Sequence, residues 1–374
     1  MENNNSNLRV GNLFGIPFYV NPSWFFVLIL MTLSFSTDLM VQTQQSGIVP
    51  WLLGLMTSLL LFASVLAHEL GHSFVAIAQG IEVKSITLFI FGGLASLGKE
   101  SKTPLEAFLV AIAGPIVSLV LFVLLTGVTI YAPLSPALLI IVSLLAYINL
   151  VLAMFNMIPG LPLDGGNVLK AIVWKITGNP QKGIIWAGRF GQFFGWTAIA
   201  IGIMGTLRIL PFGSFWTMFI GWFLLRNAGN AAQSATFEDK LKKYSASDAV
   251  SVESPIVSGE LSLRKFVNEY VIGKQSWQKF LVTTEEGSLT GVLHVEDLPS
   301  IPTSQWNEVL VADLMKPATE VKTVSDTLPL LEVIKLLEQQ KQLELTVVKE
   351  DGVVLGLIEK QGIIKFLESN LTTA

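Results

Sequence analysis

Three histidines occur in the 374 residues, at positions 68, 72 and 294, and there is no cysteine. Thiol catalysis and disulfides are therefore excluded, and any metal must be held by His, Asp or Glu. Two of the histidines belong to one pentapeptide, HELGH, from His68 to His72. On a helix, positions i and i+4 share a face, so both imidazoles can reach one metal ion. Glu69, beside His68, is placed to act as general base toward water activated by that metal, and zinc brings the pKa of such water to about 7. The pentapeptide sits inside LLLFASVLAHELGHSFVAIAQG, a largely apolar stretch. Each ionisable side chain in a membrane span costs roughly 2.5–3.5 kcal/mol on insertion scales, so three within five residues need a compensating role. A metal centre supplies one.

A catalytic zinc site takes three protein ligands and leaves one position open. Besides Glu69, the carboxylates of the first 230 residues are Glu2, Asp38, Glu82, Glu100, Glu106 and Asp164. Asp164 lies in FNMIPGLPLDGGNVL, where Pro159, Pro162 and three glycines prevent a continuous helix. Irregular backbone at membrane depth is tolerated where it lines a cavity. Asp164 is the candidate third ligand; its other reading is a cap for the helix that follows.

The elements that must position these residues divide at a sharp change of composition. The chain is 51% hydrophobic and 14% charged, with a mean hydropathy of +0.60. Residues 1–230 carry a net charge of +3 and residues 231–374 a net of −7. The first part reads as a membrane domain and the second as an acidic soluble one; no basic stripe exists, so nucleic acid is not expected as a partner. Apolar segments long enough to span a bilayer are expected near 22–42, 50–78, 105–131, 134–158, 185–207 and 211–228, after a strand-like GIPFYVNPSW. The N-terminal MENNNSN lacks the basic region of a signal peptide, so the first span reads as retained. Between the second and third spans, IEVKSITLFIFGGLASLGKE reads as a hairpin at the membrane interface, and its edge around Thr87–Phe91 is expected to be open to an added strand. Lys84, Lys99 and Lys102 fall in one loop, and Lys170, Lys175 and Lys182 in another. Arg226, Lys240, Lys242 and Lys243 follow the sixth span, whereas loops 38–50 and 131–137 have no Lys or Arg. This alternation puts both termini and the HELGH end of the second span on the cytoplasmic side, with Arg208 as the exception. Beyond a linker between Arg226 and Tyr244, FLVTTEEGSLTGVLHVEDL and LTVVKEDGVVLGLIEKQGIIKFLES repeat one arrangement of paired strands, each preceded by an amphipathic helix.

Together, HELGH, the FGG of the hairpin, AGP at 113–115, PSW at 22–24 and NxxPxxPLDGG from Asn156 to Gly166 resemble the site-2 protease family of intramembrane zinc metalloproteases. The resemblance covers residues 10 to about 225. It implies one zinc held by His68, His72 and Asp164, Glu69 as catalytic base, and Asn156 as a substrate-positioning residue. It also implies a membrane-spanning protein substrate cut in regulated intramembrane proteolysis. Ser118 stands where Asn is common in the family, and Asn167 where Arg is common; neither is expected to touch the metal set. The C-terminal repeat resembles a cystathionine-β-synthase (CBS) domain pair, most clearly at VADLMKP, 311–317. The expected division is 1–230 for the protease, 245–305 for the first CBS repeat and 306–374 for the second. Such pairs bind adenine nucleotides or bring two copies of a chain together. Of the nucleotide element, Asp297 matches the ribose-binding acid, while His294, Glu359 and Gly362 replace its other polar residues. The competing reading is a CBS-gated membrane transporter or channel, which would need polar residues spread along several spans. Here the ionisable groups gather at one place.

Overall fold

The computed structural model describes residues 7–44, 46–90, 92–251, 254–272 and 277–371. Phe91, the first residue of the FGG motif and the end of the expected 87–91 edge, lies outside them. The chain divides into two compact units, residues 1–236 and 237–374.

The first unit opens with strands β1 (Leu8–Leu13) and β2 (Ile16–Val20), then helices α1 (Pro22–Thr43) and α2 (Val49–Ala78). Strands β3 (Val83–Phe89) and β4 (Gly92–Leu97) follow, then α3 (Pro104–Tyr131), α4 (Pro136–Asn156), α5 (Asp164–Thr177), α6 (Pro180–Thr206) and α7 (Phe215–Leu241). Helix starts are written in the sequence. Asn21, Thr103, Ser135 and Asn179 each cap a following helix through the side-chain oxygen, and each is succeeded by proline at the first helical position. Among the described residues, α1, α2, α3 and α4 are long and apolar enough to cross a membrane. Their outward faces expose Phe26, Ile29, Val123 and Leu124, side chains suited to lipid rather than water. Helices α6 and α7 are 27 residues each but carry more polar groups.

The four strands form one sheet in the order β1-β2-β3-β4, with β2 parallel to β3 and the other pairs antiparallel. This corrects one expectation: Thr87 and Leu88 of β3 are paired both to β2 and to β4, so they offer no free edge. The free edge beside the hairpin is β4. Ile16, Ile81, Val83 and Ile86 of the sheet region pack with Ala76 of α2 in one core, which fixes the hairpin against the helix that carries HELGH.

Among its described residues the second unit holds two sheets. The first runs β5 (Ile256–Ser258), β6 (Lys279–Thr283), β7 (Leu289–His294), β8 (Lys316–Pro317); the second pairs β11 (Val354–Glu359), β10 (Glu344–Val348) and β9 (Thr323–Ser325). Alternation along β6 sends Phe280 and Val282 into one core and Leu281 into another, as a period of two requires when both faces are buried. The same happens along β11, where Ile358 and Leu357 part company. Helix α8 (Leu263–Phe266) precedes the first strand pair, and α10 (Leu330–Gln339) and α11 (Lys360–Leu371) flank the second; a short α9 (Val311–Leu314) lies between. Residues 226–241, expected as linker, continue α7, and its Leu241 is buried in the core of the second repeat with Leu330 and Ile363.

Candidate metal centre

Helix α2 brings His68 and His72 onto one face, as the i and i+4 spacing requires, and the start of α5 brings Asp164 to them across 96 residues. His68 Nε2 lies 3.0 Å from Asp164 Oδ2 and 3.3 Å from His72 Nε2; His72 Nε2 lies 3.4 Å from Asp164 Oδ1. His68 is buried at 3% exposure, and His72 and Asp164 are partly buried.

These distances test whether a zinc ion fits. In a tetrahedral site with bonds of about 2.0–2.1 Å, ligand atoms stand about 3.3–3.4 Å apart. The two histidine nitrogens stand at that separation, 3.3 Å, and each has an oxygen of the Asp164 carboxylate within 3.4 Å. The hydrogen bonds on the far side of each ring agree. His72 Nδ1 is 2.6 Å from the carbonyl oxygen of Val110, to which it can only donate. His68 Nδ1 is 2.8 Å from Ser118 Oγ. With the His72 Nδ1–H donated outward, the His72 Nε2 lone pair converges with His68 Nε2 and the Asp164 carboxylate on one point. That arrangement is repulsive by itself and complementary to a cation. The residues fit zinc.

The backbone around the site is cut to admit these side chains. A Cβ at Gly114 of α3 would collide with His72 Nε2, and one at Gly93 of β4 with Glu69 Cγ. Gly165 and Gly166 allow the start of α5 to lie against the backbone of Met157–Leu161, since a Cβ at either would strike it. The DGG run therefore sets Asp164 in place as much as it frees the chain.

Glu69 lies beside the two histidines, with its side chain packed against Gly93 of β4. A cavity of about 420 Å³ opens here, lined by His68, Glu69, His72, Asp164, Asn156 and the β4 residues Gly92–Ala95. Asn156, at the end of α4, thus faces the same space as the candidate ligands. Asn167 and Lys170 of α5 line it too; no spacing rule pointed to Lys170. The expectation that Ser118 stands apart from the metal set is overturned by its contact with His68. Asp297 lies in the second unit, after β7, and pairs with Lys316 at 3.2 Å. His294 ends β7, opposite Lys279 in the register, and takes no part in the His68–His72–Asp164 group.

Comparison with known proteins bears on the same residues. The profile of Peptidase family M50 matches residues 56–137 and 135–198, spans that contain His68, Glu69, His72 and Asp164, and the CBS domain profile matches 311–369. A protein of Synechocystis sp. named a zinc metalloprotease is 59% identical over 366 residues, covering 98% of this chain and 97% of that one. In Mycobacterium tuberculosis, the protein named zinc metalloprotease Rip3 is 31% identical across 94% of this chain and 91% of its own. A solved site-2 protease from Methanocaldococcus jannaschii is 26% identical, covers 60% of this chain and 95% of that chain, and has a TM-score of 0.43. With 59% identity running through nearly the whole of both sequences, the chain belongs to peptidase family M50, the site-2 protease family, and carries a CBS region at its C-terminus.

Proposed function

We propose that this chain is a zinc-dependent metalloendopeptidase that hydrolyses peptide bonds of membrane-spanning proteins within the bilayer, in regulated intramembrane proteolysis. The observation that carries this reading is the convergence of an Asp164 carboxylate on His68 Nε2 and His72 Nε2, which stand beside Glu69 in a helix apolar enough to cross a membrane. His68, His72 and Asp164 would hold one zinc per chain. When bound, the ion supplies a Lewis acid that acidifies water and polarises a carbonyl. Glu69 takes the proton from the attacking water and returns one to the leaving amine, the double duty of a general base and acid. Asn156, across the cavity, offers its amide to the substrate backbone and orients the scissile bond.

A helical peptide bond is shielded by its own hydrogen bonds, so the substrate must unwind to reach the cavity. The free edge of β4, which lines that cavity and holds Glu69, is the place for the unwound segment to add as a strand. Six crossings, formed by α1–α4 together with α6 and α7, put both termini and the site toward the cytoplasm, with the β3–β4 hairpin at the interface. The CBS pair, residues 245–305 and 306–374, regulates from that side. Its ligand is an adenine nucleotide gripped by Asp297, or its role is to join two chains.

A transporter or channel gated by the same CBS pair would not need a metal at HELGH. Metal analysis of the purified full-length protein separates the readings. About one zinc per chain, lost in His68→Ala, supports the protease, and absence of bound metal from active wild-type protein would remove it.

A further inference from the structure

Helix α3 carries none of the candidate ligands, yet one stripe of it touches both histidines. Val110, Gly114 and Ser118 are spaced at i, i+4 and i+8, so they lie along one face of the helix. The Val110 carbonyl accepts the His72 Nδ1–H at 2.6 Å. Gly114 leaves room for both imidazoles, since a Cβ there would strike them. Ser118, 0% exposed, places its hydroxyl 2.8 Å from His68 Nδ1.

A neutral imidazole has two tautomers, and the partner at one nitrogen decides which nitrogen keeps its lone pair. A carbonyl settles this for His72. For His68 the decision falls to Ser118. A hydroxyl accepting from Nδ1 leaves the Nε2 lone pair facing Asp164 and His72; a hydroxyl donating to Nδ1 would put the proton on Nε2, where a metal could not bind. A fully buried hydroxyl has no bulk water as an alternative partner, so it holds the ring in angle as well as in tautomer. We propose that Ser118 is a positioning residue of the metal centre, which accepts the His68 Nδ1–H and aims Nε2 at the ion. This rests on the zinc reading above and deepens it. It also gives a physical meaning to the family alternative at this position, because an Asn side-chain oxygen can accept the same hydrogen.

The test is zinc affinity in the detergent-solubilised full-length protein, measured by competition with a fluorescent chelator, with the visible spectrum of the cobalt-substituted protein as a second readout. Partners of metal-ligating histidines typically contribute 10–100-fold in affinity. Ser118→Ala is expected to weaken zinc by about that factor and to alter the cobalt bands. Ser118→Thr returns the hydroxyl, and Ser118→Asn returns an acceptor of a different shape; at least one is expected to restore affinity and spectrum. Unchanged affinity in Ser118→Ala overturns the proposal. So does equal weakening in all three variants with an unchanged cobalt spectrum, which would assign Ser118 to packing alone. Failure of the wild-type chain to bind zinc at all would instead sink the zinc reading, so the two failures are distinguishable.

Discussion

Replacing Gly93 by alanine should disable the proton acceptor without touching a ligand. A Cβ at this position would overlap Glu69 Cγ and stand 3.0 Å from Cδ and 3.2 Å from Oε1. Non-bonded carbon atoms rest about 3.5–4.0 Å apart, so the carboxyl carbon must retreat by about 0.5–1 Å. A misplacement of about 1 Å in a catalytic geometry costs on the order of 10²-fold in rate. Among the described residues β4 pairs with β3 alone and can yield a little, so the loss should be of that order. The assay is cleavage of a single-span reporter by protein reconstituted in liposomes, with zinc measured on the same preparation. Gly127→Ala is the control, because an added Cβ there meets nothing within 4 Å. Wild-type cleavage by Gly93→Ala would refute the claim that the β4 backbone sets Glu69 for proton transfer.

Other outcomes follow from the same geometry. Glu69→Gln should keep zinc and lose nearly all cleavage, because the amide accepts no proton; elemental analysis beside the reporter assay checks both halves. Asp164→Ala and Gly114→Ala should each lose zinc, the first by removing a ligand and the second by driving a methyl group against both imidazoles. A reporter whose span contains Gly, Asn or Pro should be cut faster than a poly-Leu span, since such residues lower the unwinding cost by about 0.5–3 kcal/mol each; equal rates would count against strand addition at β4. ATP or AMP should raise the melting temperature of fragment 237–374, and Asp297→Ala should abolish the shift; no shift with either nucleotide would assign this second unit to dimerisation.

What could be read from the sequence was local. HELGH needs only helical spacing to bring two imidazoles together, and it lies at the expected place on α2. Asp164 was legible because a carboxylate amid prolines and glycines has few structural uses at membrane depth. The paired strands of the second unit were legible from their alternation and their Gly-containing turns. What escaped depended on contacts between distant segments. Ser118 lies 50 residues from His68, and nothing in AGPIVS says which neighbour its hydroxyl will meet. The pairing of Thr87 and Leu88 with β2 escaped because parallel pairing across two intervening helices leaves no local signature in the sequence. Residues 226–241 read as linker because polar and charged residues interrupt the apolar pattern. Yet Ala228 and Ala232 fit against Gly188 and Gly191 of α6, so small-residue packing and helix propensity carry α7 onward. The same polar interruptions set α6 and α7 apart from the four most apolar helices.

The central claim is that zinc held by His68, His72 and Asp164, with Glu69 as base, cuts a peptide bond inside a membrane span. The most direct measurement is mass spectrometry of the products formed when the wild-type and Glu69→Gln proteins, each with its zinc content determined, act on a single-span substrate in the same liposomes. The account predicts about one zinc per chain in both, and fragments ending within the hydrophobic span from the wild type alone. Intramembrane fragments formed equally by Glu69→Gln, or by wild-type protein stripped of metal, would contradict it.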